Sequence, residues 1–150
     1  MEKKLKILFI PRWYPSRVDA LKGIFIKRHA LAVALKNNVA VLFINADSEM
    51  KDKMYNTEFS IEDGISTVRV YYNNSFPAIP LLSAAIKFFR YLNACLIGIK
   101  MMNEKFGKPD ISHIHVLTRT FFPAYYYKFL YKTPYIITEQ WSGYLPEDGS

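Results

Sequence analysis

A short stretch near the end of the sequence combines a carboxylate, an amide, an indole and a phenol. These groups belong to Glu139, Gln140, Trp141 and Tyr144. Aromatic faces cover the apolar sides of sugar rings, while carboxylate and amide groups form hydrogen bonds with sugar hydroxyls. The composition therefore predicts a sugar-binding loop. It is equally compatible with a surface loop whose aromatic rings pack into a domain or subunit interface.

His113 and His115 stand two residues apart in an apolar stretch, so on a strand they point to the same face. Imidazoles bind metal ions, but a site needs further ligands and none is evident at a suitable spacing. We therefore predict no metal site. Two interpretations remain open, namely hydrogen bonding to a substrate or a neighbouring loop, and packing of both rings in the core.

A single glycine, Gly23, precedes an apolar segment with helical periodicity. The backbone amides at such a helix start can bind a phosphate. The alternative is that Gly23 only shapes the turn. The loop before it contains neither the G-x-G-x-x-G dinucleotide fingerprint nor a Walker A sequence, so neither of those sites is predicted.

The elements that position these residues begin with a strand, a helix and a second strand. Residues 5–10 and 39–44 are short apolar runs, typical of strands buried on both faces. Residues 24–36 between them carry apolar side chains at helical spacing, namely Ile24, Ala30, Leu31, Ala34 and Leu35. A strand–helix–strand unit of this length predicts a parallel pair of strands.

The middle of the chain predicts an antiparallel hairpin. Residues 57–61 and 65–72 read as strands, and they flank a turn that contains Gly64. In the second strand Thr67 and Arg69 alternate with apolar residues. This alternation is typical of a strand with one face in solvent.

Residues 80–106 form the longest periodic segment. The segment is apolar enough to suggest a membrane span, but Lys87, Arg90 and Lys100 argue against one. Its polar residues fall on one arc of a helix, with Cys95 opposite, so we expect an amphipathic helix packed on the sheet. Because this arc is basic, a helix lying on a membrane surface is the alternative.

The last part of the chain repeats the strand–helix–strand pattern over residues 111–116, 119–131 and 135–138. The fold class predicted for the whole chain is α/β. We expect a Rossmann-like, doubly wound and mostly parallel sheet with an inserted β-hairpin.

The ligand site of such a sheet lies beyond the carboxyl ends of its strands, where the strand order reverses. If the first strand is central, the reversal falls between it and the strand at residues 111–116. The loops expected to form the site are therefore residues 11–23, 113–119 and 139–146.

Positive charge is concentrated in two segments of a chain whose net charge is +7. Positions 1–36 carry 9 basic and 2 acidic residues, and positions 81–132 carry 8 basic and 2 acidic residues. This pattern indicates an anionic partner such as a phosphorylated substrate or an anionic membrane. Nucleic acid is not predicted, because the chain has no nucleic-acid-binding motif. A single cysteine and the lack of a signal-peptide core predict a cytoplasmic protein.

Three blocks of the sequence, taken together, resemble the N-terminal half of family 4 retaining glycosyltransferases with the GT-B fold. The first block is Trp13-Tyr14-Pro15-Ser16 followed by Gly23-Ile24-Phe25-Ile26-Lys27-Arg28-His29-Ala30. The second is Pro109-Asp110-Ile111-Ser112-His113-Ile114-His115-Val116. The third is Pro134-Tyr135-Ile136-Ile137-Thr138-Glu139-Gln140-Trp141-Ser142-Gly143-Tyr144.

The resemblance implies transfer of a sugar from a nucleotide sugar to a glycan or lipid-linked acceptor, with retention of configuration and without a metal or other cofactor. It implies that Gly23 approaches the donor diphosphate. The residues implied to bind sugar or acceptor are Trp13, Tyr14, Arg17, His113, His115, Glu139, Gln140 and Trp141. Gln140 departs from the family, which often has a histidine there, and no catalytic residue is assigned.

In such enzymes a second Rossmann-like domain holds the nucleotide sugar. We therefore expect residues 1–150 to be the acceptor-side domain, itself incomplete, of a longer protein, and to be inactive alone. The alternative is a non-catalytic sugar-binding or interaction module of Rossmann-like fold. A peripheral contact with an anionic membrane at its inner face fits the basic segments.

Overall fold

The computed structural model describes residues 3–75 and 80–139, and this part of the chain is α/β. Its helices and strands, in chain order, are β1 Lys6–Pro11, α1 Ile24–Ala34, β2 Asn38–Asp47, β3 Tyr55–Glu62, β4 Ile65–Asn73, α2 Pro80–Lys105, β5 Ile111–His115, α3 Phe121–Tyr131 and β6 Tyr135–Thr138. Every predicted helix and strand is confirmed, with ends that differ by at most a few residues.

The six strands form one sheet in the order β3-β4-β2-β1-β5-β6. All neighbouring pairs are parallel except β3 and β4, which form the predicted antiparallel hairpin. Phe9 in β1 pairs with Val41 on one side and with His113 on the other. The strand order therefore reverses between β1 and β5, as expected, and the topology is compatible with a Rossmann-like fold.

Helices α2 and α3 cover one face of the sheet. Leu8, Leu42 and Val70 of the strands pack there with Cys95 of α2 and Tyr127 of α3. The position of Cys95 confirms the buried side predicted for the long helix. Within the described residues, no helix combines the length and the apolar character needed to cross a membrane.

Helix α1 covers the other face with a narrower apolar stripe than the sequence suggested. Ile26 and Ala30 are buried against Phe9 and its neighbours. The prediction was wrong for Ile24 and Leu35, which are 38% and 82% exposed. Ile26 and Ala30 are four residues apart and share one face, whereas Ile24 and Leu35 lie at the two ends of a helix of 11 residues.

The prediction of a half-solvated strand was also wrong, because β4 is buried on both faces. Thr67 and Arg69 are 0% and 8% exposed. The Arg69 guanidinium forms an ion pair with Glu62 of β3, and its Nε donates a hydrogen bond of 3.1 Å to the Pro15 carbonyl. A polar residue at an alternating position is here a buried, paired charge rather than a solvated one.

Candidate functional site

A cavity of about 480 Å³ lies at the carboxyl edge of the sheet, where the ligand site was expected. Its lining comes from the loop after β1, the ends of β2 and β4, helix α2 and the residues before α3, and it includes Arg12, Trp13, Asn45, Lys87 and Arg119. We call it the carboxyl-edge cavity. It therefore occupies the side of the sheet on which parallel α/β proteins bind their ligands.

The carboxyl-edge cavity is positively charged. Arg12, Lys22, Lys87 and Arg119 line it, and Asp19 is the single acidic residue among the lining side chains. One oxygen of the Asp19 carboxylate accepts hydrogen bonds of 3.0 Å from the amides of Leu21 and Lys22. The basic side chains outnumber this carboxylate among the described lining residues, so the field in the cavity is positive.

Hydrogen bonds to backbone atoms hold Arg12 and Arg119 in place, one on each side of the strand reversal. The Arg12 amide donates a hydrogen bond of 3.0 Å to the carbonyl of His115, directly beyond the β1–β5 pairing. The Arg119 carbonyl accepts a hydrogen bond of 2.6 Å from the hydroxyl of Tyr91. Burial raises the pKa of Tyr91, so this hydroxyl stays protonated and remains a donor.

Trp13 and Tyr14 both line the carboxyl-edge cavity, but they differ in burial. Tyr14 is 1% exposed, and its ring centroid lies 6.2 Å from that of Phe43 in the core. Burial, with a smaller contribution from Glu62, raises the pKa of Tyr14 to about 12. Trp13 is half-buried and packs against the same cluster, which leaves part of its indole at the cavity wall.

Arg17 is not among the described residues that line the carboxyl-edge cavity. Its guanidinium forms ion pairs of 2.8 Å with Asp47 and 2.7 Å with Glu58, and it lies 3.9 Å from the ring centroid of Tyr71. These contacts attach the loop after β1 to β2, β3 and β4. A role of Arg17 in binding an acceptor stays a prediction.

Gly23 shapes the turn before α1, which was the alternative to phosphate binding. It is the N-cap of α1 with a φ of 73°, and a Cβ at this position would lie 2.3 Å from the carbonyl oxygen of Trp13. Only glycine permits this close approach of two backbone segments. Gly23 does not line the carboxyl-edge cavity, and its contact with a donor diphosphate stays a prediction.

His113 and His115 point to the same face, as predicted, and His29 of α1 joins them there. The ring centroid of His29 lies 5.3 Å from that of His113 and 5.2 Å from that of His115, and Phe9 contacts all three rings. His29 was not among the predicted site residues, because no sequence pattern shows which face of the sheet α1 covers. In the described ranges no three His, Cys, Asp or Glu side chains are placed to hold a metal ion.

His113 is neutral at physiological pH. Burial lowers its pKa to about 4, and the neighbouring His29 adds to this effect. The Nε2 atom lies 2.8 Å from the hydroxyl oxygen of Thr138 in β6. The arrangement fits the packed interpretation of this histidine, in which a neighbouring strand satisfies the ring.

The low pKa of His113 predicts a loss of stability between about pH 6.5 and pH 4. Below pH 6.5 the unfolded chain takes up a proton that the folded chain rejects until the pH reaches the lower value, so acid favours unfolding. Between pH 7.5 and pH 4.5, the free energy of unfolding of His113→Gln should fall by about 2 kcal/mol less than that of the original chain. Urea unfolding at a series of pH values measures this difference. Parallel curves for the two chains would contradict the prediction.

The chain bends sharply where β5 ends. Val116 has a φ of 66°, which is a strained conformation for a β-branched residue. Its amide donates to the carbonyl of Thr138 at 2.9 Å, and its carbonyl accepts from the hydroxyl of Thr120 at 2.8 Å. The next amide, that of Leu117, donates to Glu139 Oε1 at 2.7 Å. Strain held by surrounding contacts in this way is common at functional sites.

Glu139 therefore supports the loop after β5. Its predicted partners in sugar binding, Gln140 and Trp141, lie outside the described residues, as does Tyr144. Arg12 and Arg119 were not predicted as site residues. They belong to the two basic segments, positions 1–36 and 81–132, and the carboxyl-edge cavity brings these segments together.

A scan against protein-family models and a search of curated proteins found no match to this chain.

Proposed function

We propose that this chain is the acceptor-side domain of a glycosyltransferase with the GT-B fold, which transfers a sugar from a nucleotide sugar with retention of configuration. The carboxyl-edge cavity is the observation that supports the proposal. It lies at the strand reversal, it carries a positive charge and it has an indole at its wall. The three sequence blocks that resemble the family supply Trp13, His115 and Glu139 to the same edge of the sheet.

In this proposal the described residues bind and orient the acceptor. Trp13 stacks on an apolar face of a sugar ring, and Asn45 binds hydroxyls. The nucleotide sugar, with the diphosphate that leaves, is held by a second domain, and the carboxyl-edge cavity holds the acceptor.

The test is transfer by the complete gene product. It is incubated with radiolabelled nucleotide sugars and a glycan or lipid extract as acceptor, and labelled product is separated and counted. Trp13→Ala should raise the KM for the acceptor about tenfold, because stacking of an aromatic ring contributes about 1 kcal/mol or more. Phe129→Ala is the control, since Phe129 is exposed on α3 and does not line the carboxyl-edge cavity.

Two results would overturn the proposal. One is the absence of transfer with every nucleotide sugar tested. The other is glycan binding without transfer, which would favour the alternative of a non-catalytic sugar-binding module.

A further inference from the structure

We infer that the carboxyl-edge cavity binds a phosphate group of the acceptor, between Arg12 and Arg119. The inference rests on the proposed function in taking the ligand to be an acceptor. It names the acceptor's chemical class, a phosphorylated sugar or a sugar carried on a lipid phosphate.

The lining of the cavity is positively charged. The cationic side chains of Arg12, Lys22 and Arg119 line the cavity together with one carboxylate, that of Asp19, which accepts hydrogen bonds from two backbone amides. In the part of the chain that the structure describes, no carboxylate comes within 4.0 Å of the cationic groups of Arg12, Lys22 or Arg119. Arg17 and Arg69, which do not line the cavity, are both paired with acidic residues. The positive charge of Arg12, Lys22 and Arg119 is therefore available to an anionic ligand.

The two arginines flank the strand reversal. Arg12 follows β1 and Arg119 precedes α3, so they approach the cavity from opposite sides of the strand reversal. The hydrogen bonds to His115 and from Tyr91 hold their backbones in place. A guanidinium donates two parallel hydrogen bonds to a phosphate, so each of the two arginines is suited to bind one.

Helix α3 adds to the same field. Its N-cap, Thr120, lines the cavity, and the helix that follows has 11 residues with no acidic side chain in its first turn. The amino end of a helix carries a partial positive charge that favours anions. The helix end and the two arginines therefore all contribute positive potential to the same cavity.

The cavity is larger than a phosphate group. A volume of about 480 Å³ is several times what a phosphate group fills. The walls that remain carry the Trp13 indole and the amides of Asn45 and Asn74. These groups suit a sugar ring and its hydroxyls. Inorganic phosphate alone would leave this part of the cavity unused.

The inference is tested by calorimetric titration of the chain with glucose 1-phosphate, inorganic phosphate and glucose. The expected order of affinity is glucose 1-phosphate, then phosphate, then glucose. Arg12→Gln and Arg119→Gln should each weaken binding of the sugar phosphate at least tenfold, since each removes a charge-assisted pair. Lys36→Gln is the control, because it makes the same change of charge on an exposed residue near the amino edge of the sheet. It should change the affinity less than twofold.

A second arm separates the two sources of phosphate. Vesicles of neutral lipid are compared with vesicles that contain a polyprenyl phosphate sugar, and glucose 1-phosphate is added as a competitor. Binding only to the phosphate-containing vesicles, lost in both arginine variants, identifies a lipid-linked acceptor. Binding of the soluble sugar phosphate identifies a free one.

Equal affinity for glucose and glucose 1-phosphate, with no response to the arginine variants and no binding to the phosphate-containing vesicles, would overturn the inference. The proposed function fails separately. Phosphate binding without sugar transfer would contradict the proposed function and support the phosphate site. Transfer to an uncharged acceptor, unaffected by the arginine variants, would support the proposed function and contradict the phosphate site.

Discussion

Replacing Gly23 by alanine is expected to lower the free energy of unfolding by about 4 kcal/mol. Two costs add at this position. The residue has a φ of 73°, where a side chain is strained, and its Cβ would lie 2.3 Å from the carbonyl oxygen of Trp13 and 2.7 Å from the amide nitrogen of Tyr14. Both neighbours are backbone atoms, so no side-chain rotation relieves the overlap. Urea unfolding measures the loss.

Gly64→Ala is the matched control for this prediction. Gly64 has a φ of 81°, and a Cβ there would meet no atom within 4 Å. The substitution should cost only the conformational strain, about 1 kcal/mol. Similar losses for the two variants would show that the contact with the Trp13 backbone contributes nothing. A larger loss for Gly23→Ala also predicts that the Trp13 indole moves, which its fluorescence spectrum would report.

Replacing Arg69 by methionine is expected to cost about 4 kcal/mol, because it breaks a buried ion pair. The Arg69 side chain is 10% exposed, and its Nη2 lies 3.1 Å from Glu62 Oε2. Hydrogen bonds to Ser60 and to the Pro15 carbonyl are lost with it. The Glu62 carboxylate then keeps a hydrogen bond of 2.7 Å from the Ser60 hydroxyl and, as its cationic partner, the Lys27 ammonium at 3.3 Å.

Two further variants distinguish the contribution of the ion pair to stability from the contribution of side-chain packing. Lys27→Met removes the other cation from the same carboxylate and should cost about 1 kcal/mol. Combining Arg69→Met with Glu62→Leu should recover about half of the loss, because an apolar pair carries no unpaired charge. No recovery in the double variant would mean that the loss comes from the shape of Arg69.

The pH dependence gives an independent measurement of the same pair. The hydrogen bond from Arg69 lowers the pKa of Glu62 to about 2, from 4.5. The stability that Glu62 contributes is therefore complete above pH 4.5 and disappears as the pH falls towards 2. In Arg69→Met this acid-dependent loss should become smaller.

The order of the helices and strands could be predicted because local patterns determine it. The strand Tyr135–Thr138 has the predicted bounds, since Pro134 precedes it and its four residues favour strands. The two errors concern contacts between distant residues. Arg69 looked solvated because its partner lies in another strand, and Ile26 was missed because neighbours on the sheet select the buried face of α1.

The candidate site was predicted in position and only partly in composition. Trp13 and the loop before α3 could be located from the rule that ligands bind at the strand reversal. Arg12 and Arg119 stand 107 positions apart in the sequence, and no local pattern connects them. Arg17, in a loop expected to bind the acceptor, is held by Asp47 and Glu58 instead. Only the sheet determines which basic residues face the cavity.

The hydrogen bond from the Arg12 amide to His115 makes the backbone of the cavity wall rigid at this position. It extends the ladder between the two central strands by one rung, to the first residue of the cavity wall. The Arg12 amide should therefore exchange with deuterium as slowly as the amides of β1, and only when the whole sheet opens. A wall with that protection is rigid before the ligand arrives, so binding has to order side chains and not backbone.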